Sequence, residues 1–183
     1  MGTSPEVTMR RAVLLSALLA TFGSAQEVRW GLQAFGTFPK GDLAKELDDA
    51  TGFGGGLHML LDFGGPHALR PKAEVLTFKA GVGASGLDTR VEGRRFGVDY
   101  LFFPEESTTS GFYLLAGVDY THWETEHTGV ATLRATHGAW GGELGGGYQF
   151  NRLVGIEVSA FQSKFQESLG VAKGISLGVT LRY

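Results

Sequence analysis

Eight stretches of the 183-residue sequence, at about 28–38, 53–63, 69–79, 91–103, 112–122, 139–150, 153–163 and 173–183, alternate apolar and polar side chains. A period of two places every second side chain on one face of an extended strand. In the first stretch Val28, Trp30, Leu32, Ala34 and Phe38 oppose Arg29, Gln33 and Thr37. In the fifth, Phe112, Leu114, Ala116, Val118 and Tyr120 oppose Tyr113, Gly117, Asp119 and Thr121. The last ends on its apolar face, with Ile175, Leu177, Val179, Leu181 and Tyr183 on one side and Ser176, Gly178, Thr180 and Arg182 on the other. Eight strands with one oily face each must bury that face or turn it toward a medium that accepts it.

Each stretch is close to the 9 to 11 residues that a tilted strand needs to cross a bilayer. The composition fits a closed sheet: 29 Gly stand beside 13 Phe, 5 Tyr and 3 Trp, without a collagen period. The chain has no Cys, so no disulfide stabilises it, and a net charge of −3 lacks the basic footprint of a nucleic-acid binder.

The N-terminus has the form of a secretory signal. Arg10 and Arg11 precede the apolar run Ala12–Phe22, and Gly23, Ser24 and Ala25 supply small residues for cleavage before Gln26. Residues 1–25 are therefore expected to be removed and 26–183 to form the domain. The run is too short to span a bilayer as a helix, which takes about 20 residues. Met9, directly before Arg10, is an alternative start to Met1.

The connections alternate in length. KGDLAKELDDATG and WETEHTGVATLRATHG are long and polar, GGPHA is short, PEESTTS is intermediate, and Asn151 and Arg152 alone join the sixth and seventh stretches. Long loops at one end and short turns at the other are the pattern of outer-membrane barrels, and an even strand number puts both ends of the sheet at the short-turn, periplasmic side. Aromatics are expected in two girdles. Trp30, Phe63, Phe102, Phe103, Phe112, Tyr148, Phe150 and Tyr183 fall near the periplasmic ends, and Phe38, Phe53, Phe78, Tyr120, Trp123 and Trp140 near the outer ends.

On these strands, loops and girdles, residues 26–183 resemble the small eight-stranded outer-membrane barrels, the family of the OmpA membrane domain, OmpX and OmpW. The resemblance implies an all-β, antiparallel, up-and-down transmembrane barrel in the outer membrane of a diderm bacterium. It further implies that the terminal aromatic Tyr183 is an assembly signal for the barrel-assembly machinery, with membrane lipid and lipopolysaccharide as surroundings. The last strand is expected to pair with the first, because an open edge in lipid leaves backbone groups unsatisfied.

The polar faces would then line the lumen: Arg29, Gln33, His58, Asp62, Arg70, Lys72, Glu74, Arg95, Asp99, Asp119, Glu143, Gln149, Glu157 and Arg182. An eight-stranded interior is just wide enough for side chains to fill it, and buried charges must pair. Arg95, Asp119 and Glu143 fall at similar height on consecutive strands and are expected to meet as a block toward the outer mouth, with Asp99, Glu74 and Lys72 in the same cluster. Arg29, Asp62, Arg70 and Arg182 share a level nearer the periplasm. The expected role is structural or surface-contacting, with passage of small or hydrophobic solutes as the alternative.

Other chemistries are weaker. GFGGG and GGELGGG do not open helices and so lack the context of phosphate loops. His122, Glu124, Glu126, His127 and His137 match no strong zinc spacing, and Asp42, Glu46, Asp48 and Asp49 need no reason beyond a polar loop. Ser159 and Ser163 have no His beside them in sequence, so neither a lipid-A-modifying enzyme nor any catalytic residue is indicated. A lipocalin would carry Gly two residues before its first-strand Trp, whereas Trp30 precedes Gly31 here. No cofactor or metal is expected, and surface ligands would meet the loops at about 39–52 and 122–138.

Overall fold

The computed structural model describes residues 25–80, 88–128, 132–166 and 170–183; the expected signal lies outside these apart from Ala25. Eight strands run in sequence order around a closed barrel: β1 (Glu27–Gly41), β2 (Gly52–Asp62), β3 (His67–Ala80), β4 (Asp88–Phe102), β5 (Gly111–Thr128), β6 (Thr132–Gln149), β7 (Val154–Gln166) and β8 (Gly170–Arg182). All neighbours are antiparallel, and β1 pairs with β8 in the register Gly31↔Arg182 to Gly41↔Ala172. The Tyr183 N–H donates to the Trp30 carbonyl at 2.6 Å and completes the seam. Closure leaves no edge along the barrel wall, as the sequence pattern requires.

The short turns are built from local chemistry. Asp62 Oδ1 accepts the Gly64 N–H at 2.8 Å, and Gly64 and Gly65 take φ of 79° and 71°, the left-handed region that Gly enters at no steric cost. Asn151 Oδ1 accepts the Leu153 and Val154 N–H groups at 2.8 and 2.9 Å, so a single side chain caps the turn into β7. Pro71 has no N–H, and the β2–β3 ladder is interrupted opposite it, between His58↔Lys72 and Leu61↔Leu69.

At the long-loop end the strands outrun the sequence expectation. β5 and β6 stay paired up to Thr128↔Thr132, because Thr-rich alternation on both strands supports a hairpin whose two faces are both polar. The β1–β2 connection contains a short helix, α1 (Asp42–Glu46), which the strand pattern did not foresee. Outward-facing positions carry the large apolar side chains, among them Trp30, Leu57, Phe112, Leu114, Val118, Trp140, Leu144 and Leu177, all exposed. The oily face is outside and the charges are inside, which is the inverse of a lipocalin.

Candidate functional site

The middle of the lumen holds one continuous ion network. Arg70 on β3 donates through Nε and Nη2 to Asp99 Oδ2 at 2.9 and 2.7 Å, and through Nη1 and Nη2 to the two oxygens of Glu157 at 2.6 and 3.0 Å. The Tyr113 hydroxyl donates to Glu157 at 2.8 Å. Lys72, one inward position along β3, meets Glu143 at 2.5 Å, Asp99 at 3.2 Å and Glu74 at 3.4 Å. Arg95 on β4 then bridges Glu74 at 2.6 Å and Glu143 at 3.3 Å, and Gln33 on β1 also donates to Glu74. Arg70, Lys72, Glu74, Arg95, Asp99 and Glu143 are all buried. Charges so deep are stable only because each acid meets at least one cation. A cavity of about 20 Å³ beside this network, lined in part by Gln33, Glu74, Glu143 and Ser159, has room for about one water molecule.

Two apolar layers enclose the network. Toward the long-loop end, Leu43 and Leu47 from α1 and its C-terminus reach into the barrel and are wholly buried against Leu76, Phe78, Val91, Trp123, Phe161 and Ala172. The α1 sequence DLAKEL places Leu43 and Leu47 four residues apart, one turn of helix, so both leave the same face. Asp48 and Asp49 turn the chain back through φ of 49° and 59°. The Phe161 ring joins the layers, with the Arg95 guanidinium 5.0 Å from its centroid. At the short-turn end, Leu60, Ala68, Leu101, Phe103, Tyr113 and Leu115 form a second buried cluster.

Beside that floor, Arg29 donates to Thr108 Oγ1 at 2.5 Å and to its carbonyl at 3.1 Å, while Thr108 donates to Asp62 at 2.5 Å. Thr108 belongs to the β4–β5 turn, which therefore folds inward. Arg182 is buried with its guanidinium 5.1 Å from the Tyr113 ring centroid, and its three nitrogens have no protein hydrogen-bond partner.

The expected charged cluster is thus redistributed. Arg95 does bridge two carboxylates, but they are Glu74 and Glu143. Asp119 accepts the Thr121 hydroxyl at 2.8 Å and forms no ion pair among the described residues. Arg29 and Asp62 stay near the short-turn mouth, 3.9 Å apart, while Arg70 joins the central network and Arg182 joins neither. Height along the strands places Phe78, Trp123 and Phe103 in the girdles, yet all three are buried inside, since Phe78 shares its face with Glu74 and Trp123 with Asp119. The α1 cap was legible only as the Leu43–Leu47 spacing, inside a loop otherwise read as polar.

The remaining candidates are dispersed. Ser163 accepts the Trp123 indole N–H at 3.1 Å, and both Ser159 and Ser163 are buried in the lumen. His127 lies 3.5 Å from Glu46 and 3.1 Å from the Thr89 hydroxyl. Asp42 anchors α1 to β8: Oδ2 accepts the Val171 N–H at 3.3 Å and Oδ1 meets Lys45 at 3.3 Å. The Val171 N–H and then the Lys45 ammonium hold the Asp42 carboxyl below its ordinary value of 3.8. A lowered folded-state value stabilises above the unfolded value and is lost as pH falls through the folded one. Asp42→Asn is therefore expected to lower the hydrogen-exchange protection factors of α1 at neutral pH, and acidification below the ordinary carboxylate range to lower them in the wild type. Equal exchange in both chains at neutral pH would count against the anchor.

On the outer surface, Trp30 and Phe38, Phe112 and Tyr120, and Trp140 and Tyr148 each stand eight positions apart on one strand. Eight residues extend about 27 Å along a strand. At the 35–45° tilt of such barrels, this separates the two rings by about 21 Å, close to the apolar band of a membrane barrel. Between them β1, β5, β6 and β8 present Leu32, Ala34, Leu114, Ala116, Val118, Gly142, Leu144, Leu177, Val179 and Leu181, without a charge.

No family model matches the chain, and no curated protein matches it. Solved structures do. The attachment invasion locus protein Ail of Yersinia pestis, in complex with the heparin analogue sucrose octasulfate, is 12% identical with a TM-score of 0.62, over 85% of this chain and 97% of its own. Neisserial surface protein A is 16% identical with a TM-score of 0.60, over 85% and 97%. The N-terminal β-barrel domain of Pseudomonas aeruginosa OprF is 13% identical with a TM-score of 0.56, again over 85% and 97%. In strand number, order and closure, the chain has the fold of the small eight-stranded outer-membrane β-barrels.

Proposed function

We propose that the mature chain is an integral outer-membrane barrel of a diderm bacterium, closed to solutes, with a structural or surface-contact role and no catalytic centre. The observation that carries this reading is the layered lumen, in which an ion network lies between two apolar clusters inside a wall whose outer face is an uninterrupted apolar band. Such a barrel offers lipid the face it accepts and offers solutes no path. The β5–β6 hairpin and the loop around α1, at the long-loop end, carry any contacts beyond the cell, including a surface ligand. Ail, named for attachment and invasion, lends the surface-contact role support. The solute-channel alternative loses ground to the α1 cap, which fills the outer mouth. Residues 1–25 act as the secretory signal.

After expression in a diderm host, the mature chain is expected in the outer-membrane fraction, migrating differently on gels before and after boiling. Recovery in the soluble periplasm would reject the proposal. Tyr183 stands exposed beside the seam, where it is available to the barrel-assembly machinery. Deleting it is expected to reduce the yield of heat-modifiable barrel several-fold in cells, while leaving the unfolding midpoint of barrels refolded in detergent nearly unchanged. Wild-type yield in cells would remove Tyr183 from that role.

A further inference from the structure

Closing the barrel brings together three lysines that the sequence keeps far apart. On the outward face, Lys40 of β1 lies directly across from Lys173 of β8, and Lys173 lies across from Gln162 of β7. Lys164 is the next outward residue on β7, and all four side chains are exposed. Directly below Lys40, Lys173 and Gln162 runs a groove of about 610 Å³, floored by Ala116, Gly142 and Ala160 and walled by Leu144 and Ile175. The small residues of β5, β6 and β7 make the depression.

Among the described residues, the outward strand positions on this part of the rim carry no carboxylate, while α1, with Asp42 and Glu46, packs against β1 and β8. The Asp42 carboxylate, which feels the charge of Lys173, is already engaged by the Val171 N–H and Lys45. Among the described residues Lys40, Lys164 and Lys173 form no ion pair. The opposite side of the rim differs: there Arg90, Arg94 and Arg134 are interleaved with Glu92, Glu124 and Glu126, with Arg134 2.9 Å from Glu126. The two sides stand at the same end of the barrel, but among the described residues the charged outward positions of the β7–β8–β1 strands near this rim are Lys40, Lys164 and Lys173, with no carboxylate interleaved.

From this asymmetry we infer that the β7–β8–β1 rim holds a phosphate-bearing acyl lipid of the surrounding leaflet, with its phosphate on Lys40, Lys164 and Lys173 and a chain in the groove below. The inference rests on the membrane-embedded reading of the barrel. A free anion would use the lysines and leave the groove unexplained, and an apolar solute would do the reverse. An amphiphile with its charge directly above its hydrocarbon matches both. Gln162 adds a neutral donor at the junction, and juxtamembrane lysines draw anionic headgroups in this way.

The test uses the full mature barrel in detergent, offered equimolar phosphatidylglycerol and phosphatidylcholine, with retained lipid counted by native mass spectrometry. Wild-type protein is expected to retain phosphatidylglycerol about tenfold over phosphatidylcholine. The triple variant Lys40→Gln, Lys164→Gln, Lys173→Gln should bring the ratio to about one, whereas Arg90→Gln with Arg134→Gln should leave it unchanged. Gly142→Leu should lower retention of both lipids. A Cβ at Gly142 meets only the Gly117 carbonyl oxygen, at 3.5 Å, so that change fills the groove without disturbing the wall. A wild-type ratio of one, an undiminished ratio in the triple variant, full retention by Gly142→Leu, or displacement of the lipid by equimolar inorganic phosphate would each overturn the inference. A chain that fails to form a heat-modifiable barrel in detergent overturns the membrane reading itself. A well-folded barrel without lipid preference overturns this site alone.

Discussion

Arg70→Met is expected to lower the unfolding free energy of the barrel in detergent by about 3–5 kcal/mol, the cost of leaving buried partners of an ion network unpaired. Asp99 and Glu157 each receive two of the four Arg70 hydrogen bonds, and both carboxylates lie deep in the lumen. Lys72 still meets Asp99 in the variant, but Glu157 keeps only the Tyr113 hydroxyl as a described hydrogen-bond donor. Arg182→Met supplies the contrast. Its guanidinium faces an aromatic ring and donates to no protein acceptor, so its loss removes a desolvated charge together with a weak contact. The Arg182 variant should therefore lose far less stability than the Arg70 variant. Denaturant titration followed by heat-modifiability on gels measures both, and equal losses would mean that the network is not the central brace of the lumen.

The second large effect concerns passage through the barrel. Wild-type protein in planar bilayers is expected to be silent, because the α1 cap, the ion network and the floor around Phe103 and Tyr113 close the lumen in series. Arg95→Ala alone should also be silent, since the cap remains. Replacing Leu43 and Leu47 by Asp removes about 1.5–3 kcal/mol of burial at each position and makes a buried position costly for the new carboxylates. That change should expel α1 yet leave the ion network in place. Combined with Arg95→Ala and Phe103→Ala, which open the network and the floor as well, it should produce frequent conducting events. Steady conductance from Arg95→Ala by itself would show that the charged cluster is the gate and the helical cap an ornament of the loop.

Much of this architecture was legible in the residues. Alternation over Val28–Phe38 and Ile175–Tyr183 sets which side chains share a face, because a strand can only turn successive side chains to opposite sides. The inward placement of Arg29, Arg70, Arg95 and Asp99, the outward placement of Trp30, Phe112 and Tyr183, and the pairing of the last strand with the first all follow from that periodicity and from the cost of an open edge. Connection lengths settled which mouth carries the long loops.

Strand alternation says nothing of partners across the lumen, and there the tertiary structure decided. Arg95 could have met Asp119 or Glu74, and its height along β4 allows either. The β3–β4 register sets Glu74 directly opposite Arg95, closure brings Glu143 in reach, and Asp119 accepts from Thr121. Height alone places Phe78 and Trp123 in a girdle, but the faces they share with Glu74 and Asp119 turn them inward. The α1 cap escaped the strand pattern because its signal has a helical period and only two apolar positions, Leu43 and Leu47. The lysines at 40, 164 and 173 become one patch only when β8 meets β1. Periodicity along a strand is a property of neighbouring residues and can be read from the chain, whereas contacts across a barrel depend on its closure and stagger, which no single segment encodes.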